Sequence, residues 1–162
     1  MSIRDLEKER AIFAYEKVEE FLEKNSKLDQ LKKEIEEKNI NCKNNNHPLC
    51  QELKKLQLFY HSKSEYKSYC KKIPSLIQTN GLSSTFAFMF SKRKGTYMVI
   101  YNQIDEWLKK RYKDDDEIVN NKELVERLIK LQSSKYRKIT IEVLALFNWL
   151  RRFAEGKISK DG

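Results

Sequence analysis

YKSYCKKIPSLIQTNGLSSTFAFMFSK, from Tyr66 to Lys92, holds a helix, its stop and a restart. Tyr66, Tyr69, Cys70, Ile73 and Ile77 recur at three- and four-residue intervals, which places them on one helical face. Pro74 sits inside that pattern. A proline there lacks one helical N–H and crowds the preceding turn, which predicts a kink or a short first segment. Asn80-Gly81 is the stop, since glycine enters the left-handed region without a Cβ clash. Ser83 or Ser84 is the expected cap of the next helix, and Phe86 to Phe90 are nearly all apolar, which predicts burial on most sides.

Toward the C-terminus, Ser91 to Gly95 is a basic turn, and Tyr97, Ile100, Tyr101, Ile104, Trp107, Leu108 and Tyr112 form another helical stripe. YMVIY, Tyr97 to Tyr101, is the best strand-forming run, and it continues at helical spacing. Lys113 to Glu117 is a charged loop; Ile118, Leu124, Val125, Leu128, Ile129 and Leu131 mark a further helix with Asn120 or Asn121 as cap. The last helix starts at a Ser133 or Ser134 cap and ends at Gly156. At 100° per residue, Ile139, Val143, Leu146, Phe147, Leu150, Phe153 and Ala154 share one broad face, and Arg137, Lys138, Glu142, Asn148, Arg152 and Glu155 the opposite one. Trp149 falls among the polar positions beside Lys138 and Arg152. There it either stacks on a base or anchors a partner, or it packs under a neighbouring helix.

Toward the N-terminus, Leu49, Leu53, Leu56 and Tyr60 form a stripe after the Asn-rich loop 39–48, and Ser62 or Ser64 can cap a new helix beyond it. Ile3, Leu6, Phe13, Val18, Phe21 and Leu22 form an amphipathic helix, extended in period by Leu28, Leu31 and Ile35. Either that helix runs to about Lys38 or it breaks at Asn25. Together these stripes predict an all-α fold: one helical domain over 1–162, a bundle of about six helices, with an extended helical hairpin from the 25–62 region as a variant.

The chain of 162 residues carries 40% apolar and 35% charged residues, with four Gly and two Pro, a composition that favours helices. The net charge is +9 and is uneven: residues 1–40 hold 9 basic and 11 acidic side chains, leaving net +11 for the rest. Such an excess attracts polyanions, although solvated lysine-rich helix faces give the same count. No apolar run approaches the roughly 20 residues that span a bilayer, and MSIRDLEKER is charged from its fourth residue, unlike a signal peptide. Three cysteines argue against a disulfide framework and suit a reducing, cytoplasmic setting.

Cys42, His47, Cys50 and His61 have a spacing that matches no common zinc pattern. Cys70 sits on an apolar stripe, Asp114 to Asp116 read as a solvated turn, and no phosphate-binding glycine loop or nucleophile–base set is present. The expectation is therefore no enzyme, no metal and no cofactor. Basic residues flank the two most patterned stretches: Lys67, Lys71 and Lys72; Lys92, Arg93 and Lys94; Lys135, Arg137 and Lys138; Arg151 and Arg152. Side chains of this type hold phosphates without reading bases.

Lys71, Lys72, Ile73 and Pro74, then Asn80, Gly81 and Leu82, resemble the pattern of the small-subunit family of type III-B CRISPR effector complexes, the fifth of the Cmr proteins. Tyr136, Arg137, Leu144 to Leu146, Trp149, Leu150 and Arg152 to Gly156 resemble its C-terminal pattern, and Arg10 with Ala14 to Val18 its N-terminal one. Asn25 to Ser62 is longer and more polar than that pattern. The resemblance implies an all-α bundle without activity of its own, stacked in several copies along the complex. Its implied partners are the large signature subunit, the guide-binding backbone subunit, further copies of itself, and guide and target RNA, with no membrane. A helical protein–protein scaffold without RNA contact is the alternative. Lys67, Lys71, Lys72, Lys92, Lys135, Arg137, Lys138, Arg151 and Arg152 are the candidate RNA contacts, and Trp149 and Glu155 the candidate subunit interface.

Overall fold

The computed structural model describes residues 2–43 and 46–159. Seven α-helices account for the regular structure of the described residues: α1 (Ile3–Glu37), α2 (Pro48–Tyr60), α3 (Lys63–Asn80), α4 (Leu82–Ser91), α5 (Thr96–Arg111), the short α6 (Leu124–Ile129) and α7 (Ser133–Lys157). No strand occurs among the described residues. The all-α expectation holds, and the YMVIY run is the first turns of α5.

α1 does not break at Asn25. Asn25 is buried, and its Nδ2 donates to the Tyr60 carbonyl at 2.6 Å, so a weak helix former occupies a helix interior because it satisfies the open C-terminal end of α2. Beyond it Leu28, Leu31 and Ile35 stay buried and α2 folds back along α1, which makes the hairpin of the 25–62 region. Ser2 and Asp5 close a capping box at the start of α1.

One expectation fails in the linker that joins α1 to α2. Cys42 and Cys50 form a disulfide across a sequence separation of 8, so an odd cysteine count left one pair bonded and Cys70 free. His47 accepts from the Leu49 N–H through Nδ1 at 3.2 Å and caps α2. The C-x4-H-x2-C spacing therefore serves a covalent staple and a helix cap.

The stripes read from sequence converge on one cluster. Phe21 of α1 stacks on Tyr66 of α3 with ring centroids 4.1 Å apart, and Trp107 of α5 meets Phe13 at 5.1 Å. Each such aromatic contributes roughly 1.5–3 kcal/mol by leaving water. α3 runs unbroken through Pro74, with Ile73 and Ile77 both buried, so packing outweighs the missing hydrogen bond. α4 is less enclosed than its composition predicts: Leu82, Thr85, Phe86 and Met89 are buried, while Ala87 and Phe88 face outward.

Three helix caps differ from expectation. α4 starts directly at Gly81, whose φ is +87°, without a serine cap. Gln132 precedes α7, and Glu123 precedes α6. Ser62 does cap α3, accepting from the Glu65 N–H at 3.2 Å. Arg127, buried in α6, donates to the carbonyls of Ile118 (2.5 Å) and Lys122 (3.0 Å) and pairs with Asp105, which fastens the segment that follows the charged loop to α5.

Candidate nucleic-acid interface

α3 and α7 lie side by side and antiparallel. Lys67 near the start of α3 donates to the Ile158 carbonyl just past α7 at 2.9 Å, and Lys71 pairs with Glu155 at 3.2 Å. At the other end, the Tyr136 hydroxyl of α7 accepts from the Ser83 N–H at 2.9 Å. This replaces the missing serine cap of α4 with a side chain from another helix. A Cβ on Gly81 would lie 3.5 Å from that hydroxyl, and the +87° φ already excludes most other residues.

The candidate RNA contacts divide by what holds them. Lys135 is bound to the acidic loop, 2.9 Å from Asp115 and 3.3 Å from Glu117, and the pairing draws the Asp115 carboxyl below its usual range. Lys67 and Lys71 are anchored to the C-terminal end of α7. Arg152 lies over the Trp149 ring, 5.4 Å from its centroid. Lys72, Lys92, Arg137, Lys138 and Arg151 are exposed, and no carboxylate pairs with them among the described residues. Lys138 and Arg151 are separated by 13 residues of one helix, about 20 Å at 1.5 Å per residue, so α7 offers two separate basic ends.

Trp149 packs under α1. It is half-buried, its Nε1 donates to Glu7 at 2.9 Å and its ring stacks on Phe153. That hydrogen bond is the main cause holding the Glu7 carboxyl below its usual range. Glu155 is exposed and engaged with Lys71. Glu142 does not belong to the polar face: it is buried, and accepts from Arg10 Nε at 3.0 Å, from an Arg10 terminal nitrogen at 2.5 Å and from Trp107 Nε1 at 2.9 Å. Arg10 also pairs with Glu7. The chain Trp107–Glu142–Arg10–Glu7–Trp149 thus joins α5, α7 and α1. Its inter-helix partners lie 132 to 142 residues apart, except Trp107 with Glu142, which is why helical spacing alone assigned Glu142 to solvent.

Among the described residues no group of three or more His, Cys, Asp or Glu is placed to hold a metal ion. Cys70 is fully buried, and burial pushes its thiol well above its usual pKa, the opposite of an activated nucleophile. Among the described residues no helix is long and apolar enough to cross a membrane.

The geometry offers basic helix ends on α7, and the comparison with known proteins gives the chain a family. The family model for the CRISPR-associated protein Cas_Cmr5 matches residues 47–157, from the cap of α2 to the end of α7. A similar protein, the CRISPR system Cmr subunit Cmr5 of Thermus thermophilus, is 31% identical over 98 residues, covering 60% of this chain and 79% of that protein. With more than half of its length matched, including both stretches that meet at Tyr136 and Ser83, this chain belongs to the Cmr5 family of CRISPR-associated proteins.

Proposed function

We propose that this chain is a non-catalytic small subunit of a type III-B CRISPR RNA-guided effector complex in the cytoplasm. Copies of it stack beside the guide-binding backbone subunit, reach toward the large subunit, and touch target RNA through basic helix faces. Family membership supports the assembly role. The observation that carries the RNA role is the grouping of five exposed cations on the two family stretches, each without a carboxylate partner among the described residues: Lys72, Lys92, Arg137, Lys138 and Arg151. Other surface lysines, such as Lys38 with Glu34 and Lys130 with Glu126, are paired along their own helix. Cations without such a partner keep their full charge for phosphate. Lys67, Lys71, Lys135 and Arg152 join them where RNA phosphate displaces a surface partner worth about 0–1 kcal/mol.

The test is target-RNA binding by the reconstituted complex over a salt series. Arg137→Glu with Lys138→Glu, and Lys72→Glu with Arg151→Glu, should lower the salt slope by about one unit for each phosphate no longer held. An unchanged affinity and slope in both double variants leaves only the protein–protein scaffold. Trp149 and Glu155 are tested by assembly itself.

A further inference from the structure

We propose that the groove between α3 and α4 takes a nucleotide of a single RNA strand, its base stacked on Phe88 and its phosphates held by Lys72 on one side and Lys92 and Lys94 on the other. This rests on the RNA-contact function above and adds a stacking site to it.

Phe88 is 41% exposed on α4, although the rest of that helix is rich in buried apolar side chains. It packs against Tyr97 in a T-shaped contact, with centroids 5.2 Å apart and planes at 78°, and Tyr97 is itself clamped by Tyr69, stacked at 3.9 Å and 6°. Phe88 therefore stands on a rigid aromatic base. The Lys92 ammonium lies over its ring, 4.8 Å from the centroid. An ammonium there is a loosely held cation–π partner, worth about 0.5–1 kcal/mol at an exposed site. A nucleobase covers far more of the ring, and frees Lys92 for the phosphate attached to that nucleotide.

The walls fit the rest of a nucleotide. Lys72 and Leu76, at helical spacing on α3, face Ser84, Thr85 and Phe88 on α4. Asn80 and Ser84 line the end of the groove beside Lys72 and offer polar atoms to a base edge. On the other side of Phe88, a cleft lined by Tyr69, Lys92, Lys94 and Tyr97 carries one acidic side chain, Glu65, which already accepts from Thr96 and pairs with His61. The charge along the groove is therefore positive, and an aromatic between lysines is the arrangement that binds an unpaired strand. A duplex keeps its bases stacked on one another and offers none to Phe88.

The reconstituted complex carrying Phe88→Ala, Phe88→Tyr or Lys72→Gln with Lys92→Gln is titrated with target RNA containing 2-aminopurine, whose fluorescence is quenched by stacking. Phe88→Ala should weaken binding by roughly 5- to 150-fold per stacked base and relieve quenching at one position, with the salt slope unchanged. Phe88→Tyr should restore both. The lysine pair should lower the slope by about two units and leave part of the quenching. Unchanged affinity and quenching in Phe88→Ala, with the lysine pair still lowering the slope, overturns the stacking site and leaves the phosphate contacts standing. Absence of salt-dependent binding in the unaltered complex overturns both. Failure of Phe88→Leu, which keeps apolar volume at this position, to enter the complex while its helicity is native makes the groove a protein interface and refutes the RNA assignment.

Discussion

Removing one side of the Arg10–Glu142 pair should cost more than removing both. The Arg10 side chain is 10% exposed and that of Glu142 5%, so either charge left alone stays in a region poor in water. Arg10→Met leaves Glu142 with the Trp107 N–H as its remaining donor. Glu142→Leu leaves the guanidinium with Glu7, and leaves the Trp107 N–H without an acceptor. Breaking a buried pair in this way costs about 3–5 kcal/mol. At about 2–4 °C per kcal/mol for a chain of this size, each single change should lower Tm by roughly 6–20 °C. The double variant loses the two charges together and strands one N–H, a penalty of about 1–3 kcal/mol. Urea unfolding followed by circular dichroism gives the four stabilities of the cycle, provided that m stays constant. If the double variant loses the sum of the two single losses to within about 0.5 kcal/mol, the residues are not coupled and the buried network is not what joins α1 to α7.

Tyr136→Phe removes the acceptor for the Ser83 N–H and should cost about 0.5–1.5 kcal/mol, read by the same unfolding assay. Opening the Cys42–Cys50 disulfide should cost roughly 2.5 kcal/mol on the chain-entropy account for a loop of this length; dithiothreitol should lower Tm of the unaltered protein and not that of Cys42→Ser. Glu7 and Asp115 both have folded pKa values lowered from 4.5 and 3.8, by the Trp149 N–H and by Lys135. A lowered carboxyl pKa stabilises the folded chain above the unfolded value and loses that contribution as pH falls through the folded one, so stability should fall as pH drops below about 4.5. Glu7→Gln should flatten the upper part of that fall in acid unfolding.

The fold was legible where one rule decided it. Leu28, Leu31 and Ile35 keep the helical period past Asn25, and α1 follows the period, not the weak propensity of Asn25-Ser26. Pro74 shows the same order of strength, since Ile73 and Ile77 are buried on either side of it. The helix starts were less legible, because caps can come from outside the local sequence. Nothing near Ser83 or Ser84 states that Tyr136, 53 residues away, will take the Ser83 N–H. The disulfide was hidden by counting: three cysteines suggest no framework, yet two of them are joined where α1 turns back into α2.

For the candidate site, a helical wheel gives the direction of a side chain and says nothing about what stands there. Arg137 and Lys138 point away from the core and meet no carboxylate among the described residues, whereas Glu142, on the same drawn face, meets Arg10 and Trp107 from two other helices. Lys135 is adjacent in sequence to the same basic cluster, but the loop carrying Asp115 and Glu117 folds against it. The net charge of +9 therefore overstates some basic clusters and fits others. Binding strength should follow the cations whose charge is uncompensated in the folded chain, so replacing Lys135 should change the salt slope less than replacing Arg137, although the two differ little in sequence position. Equal slopes for Lys135→Gln and Arg137→Gln would show that RNA dissolves the Asp115 and Glu117 contacts, and that pairing in the free chain does not select the binding residues.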